Sequence, residues 1–202
     1  MNIPNLCIVA YREVNRPKKF IFLLMVAFLV SVFYPSDLAD YSKNFPGIEA
    51  GPVEHSTENY VRFVNTALQI GLPIVLADKV GLVQLIYVGV SSTILTHGMK
   101  RLVNDWHVMG TRLGQRPSGP QSKHNMPSGH SSMASCAMYF LCRRYSFWFA
   151  VLLIPIMLLT MYTRVVLHDH TVSAVLAGAI AGILAGAMFT SRWHRGRRSV
   201  SS

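Results

Sequence analysis

Six stretches of this chain are apolar and free of Asp, Glu, Lys and Arg. They are Phe20–Ser36, the segment between Arg62 and Asp78, Val80–Met99, Ser128–Cys142, Tyr145–Thr163 and Thr171–Ser191. Hydrocarbon offers no hydrogen-bond partner to a peptide N–H or C=O, so a run of this kind inside a bilayer pairs its own backbone as a helix. The first is near the short limit of roughly 17 residues for spanning, and the second carries Pro73 and is expected to kink. The pattern predicts an all-α integral membrane protein, a bundle of six transmembrane helices forming a single domain over residues 1–202. Composition agrees: 51% hydrophobic residues alongside a net charge of +10 is rare in a soluble globular domain. A chain this apolar is not free to coat a duplex, so the basic charge does not point to nucleic acid.

The charges fall in clusters between the runs. Arg12, Arg16, Lys18 and Lys19 precede the first, Lys79 and Arg143-Arg144 separate later ones, and Arg192, Arg195, Arg197 and Arg198 follow the last. Six spans put all of these on one side, which the positive-inside rule makes cytoplasmic, together with both termini (1–19 and 192–202). The basic start and first apolar run resemble a signal peptide, but Tyr34-Pro35-Ser36-Asp37 is no cleavage site, so the helix is expected to be retained. Residues 37–60 and 100–126 then become external loops. The second is basic on the side where basic loops are disfavoured, and binding an anion would account for that. Cys7, Cys136 and Cys142 have no zinc-type spacing and read as free thiols. In the sixth run Gly178, Gly182 and Gly186 recur every four residues, a ridge on which helices can touch backbone to backbone.

The chemistry gathers at the external face. Ser128 can cap a helix and Pro127 can open one. Gly129 leaves the backbone open to a ligand, and the unpaired N–H groups of a helix start attract an anion. His130 stands one residue further in. Arg112 and Arg116 with Pro117, and Arg164 with His168-Asp169-His170, reach the same face. Arginine's planar fork suits phosphate oxygens. Two histidines beside a phosphate suit in-line transfer, one attacking as neutral imidazole and the other protonating the leaving oxygen. Singly, each piece would be an ordinary helix start or packing residue; their order and shared face carry the argument. His168 and His170 would diverge at a helix start and no further ligand cluster appears, so neither a metal nor a cofactor is expected.

Arg116-Pro117, Pro127–His130 and Arg164-x5-His170 resemble the signatures of the type 2 phosphatidic acid phosphatase superfamily, over roughly the C-terminal half of the chain. Those signatures are Lys-x6-Arg-Pro, Pro-Ser-Gly-His and Ser-Arg-x5-His-x3-Asp. The resemblance implies a metal-independent phosphatase with a phosphohistidine intermediate. His170 would be the nucleophile and His130 the general acid, with Arg116, Arg164, Ser128 and the Gly129 N–H cradling the phosphate. Two positions depart. Met109 stands where the Lys would be, so either Arg112, taken as one helical turn from Arg116, or Lys100, across a lengthened loop, would supply the charge. Ala174 stands where the Asp would orient the nucleophile. Asp169 lies about 100° round a helix from His170, which leaves Ser173 or a backbone carbonyl to do so.

The wording Arg112-Leu-Gly-Gln-Arg116-Pro117, Asn125–Met133 and Arg143-Arg-Tyr-Ser-Phe147 is similar to the bacterial lipid A 1-phosphatase branch. That likeness implies lipid A as substrate at the periplasmic face of the bacterial inner membrane, with no obligate protein partner. Alternatives are another lipid phosphatase, for undecaprenyl pyrophosphate or phosphatidylglycerophosphate, a phosphotransferase, or a non-catalytic binder of anionic lipids. A binder would need the arginines but not paired histidines.

Overall fold

A computed structural model of the protein describes residues 3–44 and 47–193. The basic tail beyond Trp193, with Arg195, Arg197 and Arg198, lies outside the described residues. The chain is helical, and each charge-free run forms a helix: α2 (Lys18–Val32), α5 (Val64–Val75), α6 (Lys79–Leu102), α7 (Gly129–Arg144), α8 (Ala150–Val166) and α9 (Val172–Phe189). Among the described residues, the helical segments Lys79–Leu102, Phe147–Val166 and Val172–Phe189 are long and apolar enough to cross a membrane. At 15 and 12 residues, α2 and α5 are shorter.

Three helices were not anticipated. The N-terminal segment forms α1 (Ile3–Arg12), and the region 37–60, expected as plain loop, contains α3 (Leu38–Asn44) and α4 (Pro52–Asn59). The start of α4 has a local cause: Pro52 occupies the first helical position, and the Gly51 N–H donates to the Glu54 carboxylate at 3.1 Å. The second loop also has structure. His107–Val108 and Thr111–Arg112 pair as a hairpin whose tip, Met109-Gly110, has positive φ at both residues, 49° and 83°.

Helix α9 is central, flanked by α2, α6 and α7, while α5 and α8 pack on α7. The glycine ridge explains how close α7 and α9 come. A Cβ at Gly178 would meet the Ser128 carbonyl oxygen. One at Gly182 would meet the Ser132 carbonyl, and one at Gly186 would lie 2.7 Å from the Tyr139 ring. Polar side chains join other helices: Ser92 and Thr96 of α6 each lie 2.9 Å from the Ser132 hydroxyl, and Asn65 of α5 donates to the carbonyls of Ala134 and Leu153. At the far end Arg144, one of the basic residues expected on the cytoplasmic side, is buried. It donates to Asp78 at 2.6 Å and to Gln84 at 2.9 Å, tying the end of α7 to the start of α6.

This packing makes a paired prediction. Gly182→Ala has no room and should cost about 1–3 kcal/mol, read as a lower Tm in detergent. Gly98→Ala on α6, where a Cβ meets nothing within 4 Å, should be neutral or slightly stabilising. Equal shifts would contradict the close α7–α9 approach.

Candidate active site

Helix α7 begins at Gly129, so Pro127 sits before the cap rather than at the first helical position. Ser128 is the cap: its backbone is extended (ψ 122°) and its hydroxyl accepts from the Ser131 N–H at 3.5 Å and the Ser131 hydroxyl at 3.1 Å. Its own N–H donates to the Ala174 carbonyl at 2.9 Å, joining the start of α7 to the start of α9. A Cβ built on Gly129 meets nothing within 4 Å, so the space over this helix start is open.

Asn125 makes the second junction. Its side-chain oxygen accepts from the Thr171 N–H at 3.1 Å and its amide donates to the Thr171 hydroxyl at 3.2 Å. Its backbone carbonyl lies 2.7 Å from His170 Nδ1. A carbonyl only accepts, so Nδ1 carries the ring proton and Nε2 is left with its lone pair. The Asn125 carbonyl thus does what a carboxylate at position 174 would do. Ala174 itself is fully buried in an apolar cluster, and Ser173 bonds to Thr171 and Ser36 instead.

His170 is 2% exposed. Burial, and then the charges of Lys100, Arg164 and Arg116, hold its pKa well below the ordinary 6.5, against a smaller upward pull from the Asn125 carbonyl. Lys100, at the end of α6, is the first of these charges. Arg112 is engaged elsewhere: it donates to the carbonyls of Pro120 (3.1 Å) and Ser122 (2.5 Å) and lies 3.8 Å from Asp105. It lies in a hairpin strand, not a helix, so the supposed helical turn to Arg116 does not exist. Met109 is at the hairpin tip, 86% exposed.

Arg116 is fixed by its Nε–H to the Lys123 carbonyl at 3.0 Å and pairs with Asp169 at 3.4 Å. Arg164 pairs with Asp169 through Nη2 at 2.9 Å and with Glu58 through Nη1 at 2.7 Å. Glu58 also pairs with Arg62 at 2.9 Å, and the same Arg62 Nη1 lies 2.9 Å from His130 Nε2. A chain of charges therefore runs from His130 through Arg62, Glu58 and Arg164 to Asp169, next to His170. Sequence reasoning missed Glu58 and Arg62. Their four-residue spacing was the available signal, but it is also that of an ordinary solvated helix pair. Among the described residues no three His, Cys, Asp or Glu side chains gather as a metal site.

Arginine forks, a neutral buried imidazole and an open helix start are groups that suit the oxygens of a phosphate. The profile of the PAP2 superfamily matches residues 81–198, and the chain belongs to that superfamily: it is a membrane phosphatase. It is 45% identical over 137 residues to a lipid A 1-phosphatase of Helicobacter pylori (strain ATCC 700392 / 26695), covering 68% of this chain and 71% of the relative. A lipid A 4'-phosphatase of Helicobacter pylori (strain J99) is 34% identical over 99 residues, covering 48% of this chain and 50% of that one. The fold is that of the crystal structure of a PAP2 type phosphatidylglycerolphosphate phosphatase from Bacillus subtilis. That match has a TM-score of 0.59 at 20% identity, over 82% of this chain and 92% of that one.

A group with a lowered pKa is protonated only below that lowered value, so the His170 imidazole stays neutral as pH falls through 6.5, the form a histidine nucleophile would need. With the substrate's own phosphate titration divided out, kcat/KM should hold or rise between about pH 7.5 and 5.5. A loss with its midpoint near 6.5 would show an unperturbed imidazole.

Proposed function

We propose that this chain is a lipid A 1-phosphatase of the bacterial inner membrane. The observation that carries the substrate is the 45% identity, over most of the chain, to relatives of that name. The site geometry supports the chemistry. His170, held through its Nδ1–H by the Asn125 carbonyl, attacks phosphorus with Nε2, the bond from phosphorus to the sugar oxygen breaks, and that oxygen takes a proton from His130. Water then attacks the phosphohistidine and gives its proton to His130, the N–P bond breaks, and phosphate leaves. Arg116, Arg164 and Lys100, with the Ser128 hydroxyl and the Gly129 N–H, meet the charge on the phosphoryl oxygens, and Arg112 shapes the loop that carries Arg116.

The membrane placement belongs to the same reading. Helices α2 and α5 complete six spans with α6 to α9, within a single domain over residues 1–202. Both termini are cytoplasmic, and loops 37–60 and 100–126 cover the active site at the periplasmic face. The basic clusters at Lys18-Lys19, Lys79 and Arg143 support this orientation. The substrate is an anionic lipid entering from the membrane, and no cofactor or protein partner is required.

Mass spectrometry of lipid A decides the substrate. Cells expressing the chain should lose the phosphate on the reducing-end glucosamine, and cells expressing His170→Ala should keep it. Loss of the 4'-phosphate instead, or unchanged lipid A with altered undecaprenyl pyrophosphate or phosphatidylglycerophosphate, would overturn the substrate assignment.

A further inference from the structure

Arg62 lies in the short turn Val61–Phe63 between α4 and α5, outside every motif used above. Its Nη1 has two hydrogens, and the two acceptors beside it are Glu58 Oε2 and His130 Nε2, each at 2.9 Å. A guanidinium only donates, so the His130 Nε2 facing it holds a lone pair, and the ring proton is on Nδ1. Glu58 Oε2 accepts from Arg62 and from Arg164, leaving Oε1 without a partner. Arg62 Nε, Arg164 Nε and His130 Nδ1 are likewise buried without a protein partner among the described residues. Three orphaned donors and a carboxylate that uses one of its two oxygens meet at the same place. Buried donors left unpaired are costly, and charged ones more so. A tetrahedral phosphate offers more acceptors and more negative charge than this carboxylate.

We propose that Arg62 is a phosphate-binding residue of this active site, and that Glu58 is an internal anion holding Arg62 and Arg164 until the substrate phosphate displaces it. The proposal rests on the reading of Arg164 and His130 as part of a phosphate site. Asp169 cannot play the part of Glu58, because it is rooted in the turn beside His170 and also holds Arg116. Glu58 is near the end of the eight-residue α4 and reaches Arg62 and Arg164 through a single oxygen. When Arg62 turns to the phosphate, His130 Nε2 is released to carry the proton that the leaving oxygen needs. Substrate binding and arming of the acid are then one event.

The test is the inhibition constant of inorganic phosphate, and of orthovanadate as a second probe, on the purified full chain in detergent. Arg62→Gln should raise it about tenfold or more, the loss of one charge-assisted contact. Arg62→Lys should fall between. Glu58→Gln removes the competing anion and should lower the constant several-fold, although the ligand-free protein is less stable. An inhibition constant unchanged in Arg62→Gln, or one raised in Glu58→Gln, would overturn the proposal, the latter because the carboxylate would then only organise the arginines. If Arg62→Gln does not fold, the rise in Tm with added phosphate decides on Glu58→Gln alone: larger than in the unmodified chain supports the proposal, smaller or equal removes it. An unmodified chain that phosphate neither inhibits nor protects would sink this proposal and the phosphate-site reading together. One that binds phosphate normally, with Arg62→Gln unaffected, would sink this proposal alone.

Discussion

The close approach of α7 and α9 is the constraint on which the rest of the site depends. Gly178 and Gly182 let the carbonyls of Ser128 and Ser132 rest against α9 where any side chain would push them away. At that separation the Ser128 N–H reaches the Ala174 carbonyl, and Asn125 reaches both Thr171 and His170. The start of α7 carries His130 and the turn before α9 carries His170, so one backbone apposition places both histidines. Small residues serve this purpose in membranes because lipid does not drive apolar side chains together, whereas packing and hydrogen bonds between backbones do.

Charge is handled differently at the two ends. At the far end Arg144 and Asp78 form a buried pair with Gln84 and Ser191 around it, the geometry in which a buried ion pair is satisfied. At the active-site end the pairs are incompletely satisfied, with Glu58, Arg62, Arg164 and His130 each leaving a polar atom unmatched within the protein. A finished network holds helices together; an unfinished one, opening on the bare helix start at Gly129, leaves binding energy to be realised with a ligand.

What the sequence disclosed follows from the same physics. Lipid forces apolar runs into helices, so Val80–Met99 and Thr171–Ser191 correspond closely to α6 and α9. Helix α4 was hidden by its polar composition, although Pro52 and Glu54 mark its start. The partner of His170 could not be read from any letter, because it is a backbone carbonyl brought over by the fold. Arg112 and Lys100 were indistinguishable until the hairpin removed the assumed helical turn and tied Arg112 to the carbonyls of Pro120 and Ser122. Glu58 and Arg62 have the spacing of countless surface pairs, and only burial beside His130 sets them apart.

The central claim is that His170 Nε2, its lone pair fixed by the Asn125 carbonyl, takes the phosphoryl group from the lipid. Lipid A carrying radioactive phosphorus at the 1-position, mixed with the purified chain and quenched in alkali during turnover, tests this directly. The account predicts label bound to the chain, stable to alkali, released by acid, located on the peptide containing His170 and absent from His170→Ala. Turnover in which no label attaches to the chain, or in which it attaches to His130, would contradict it.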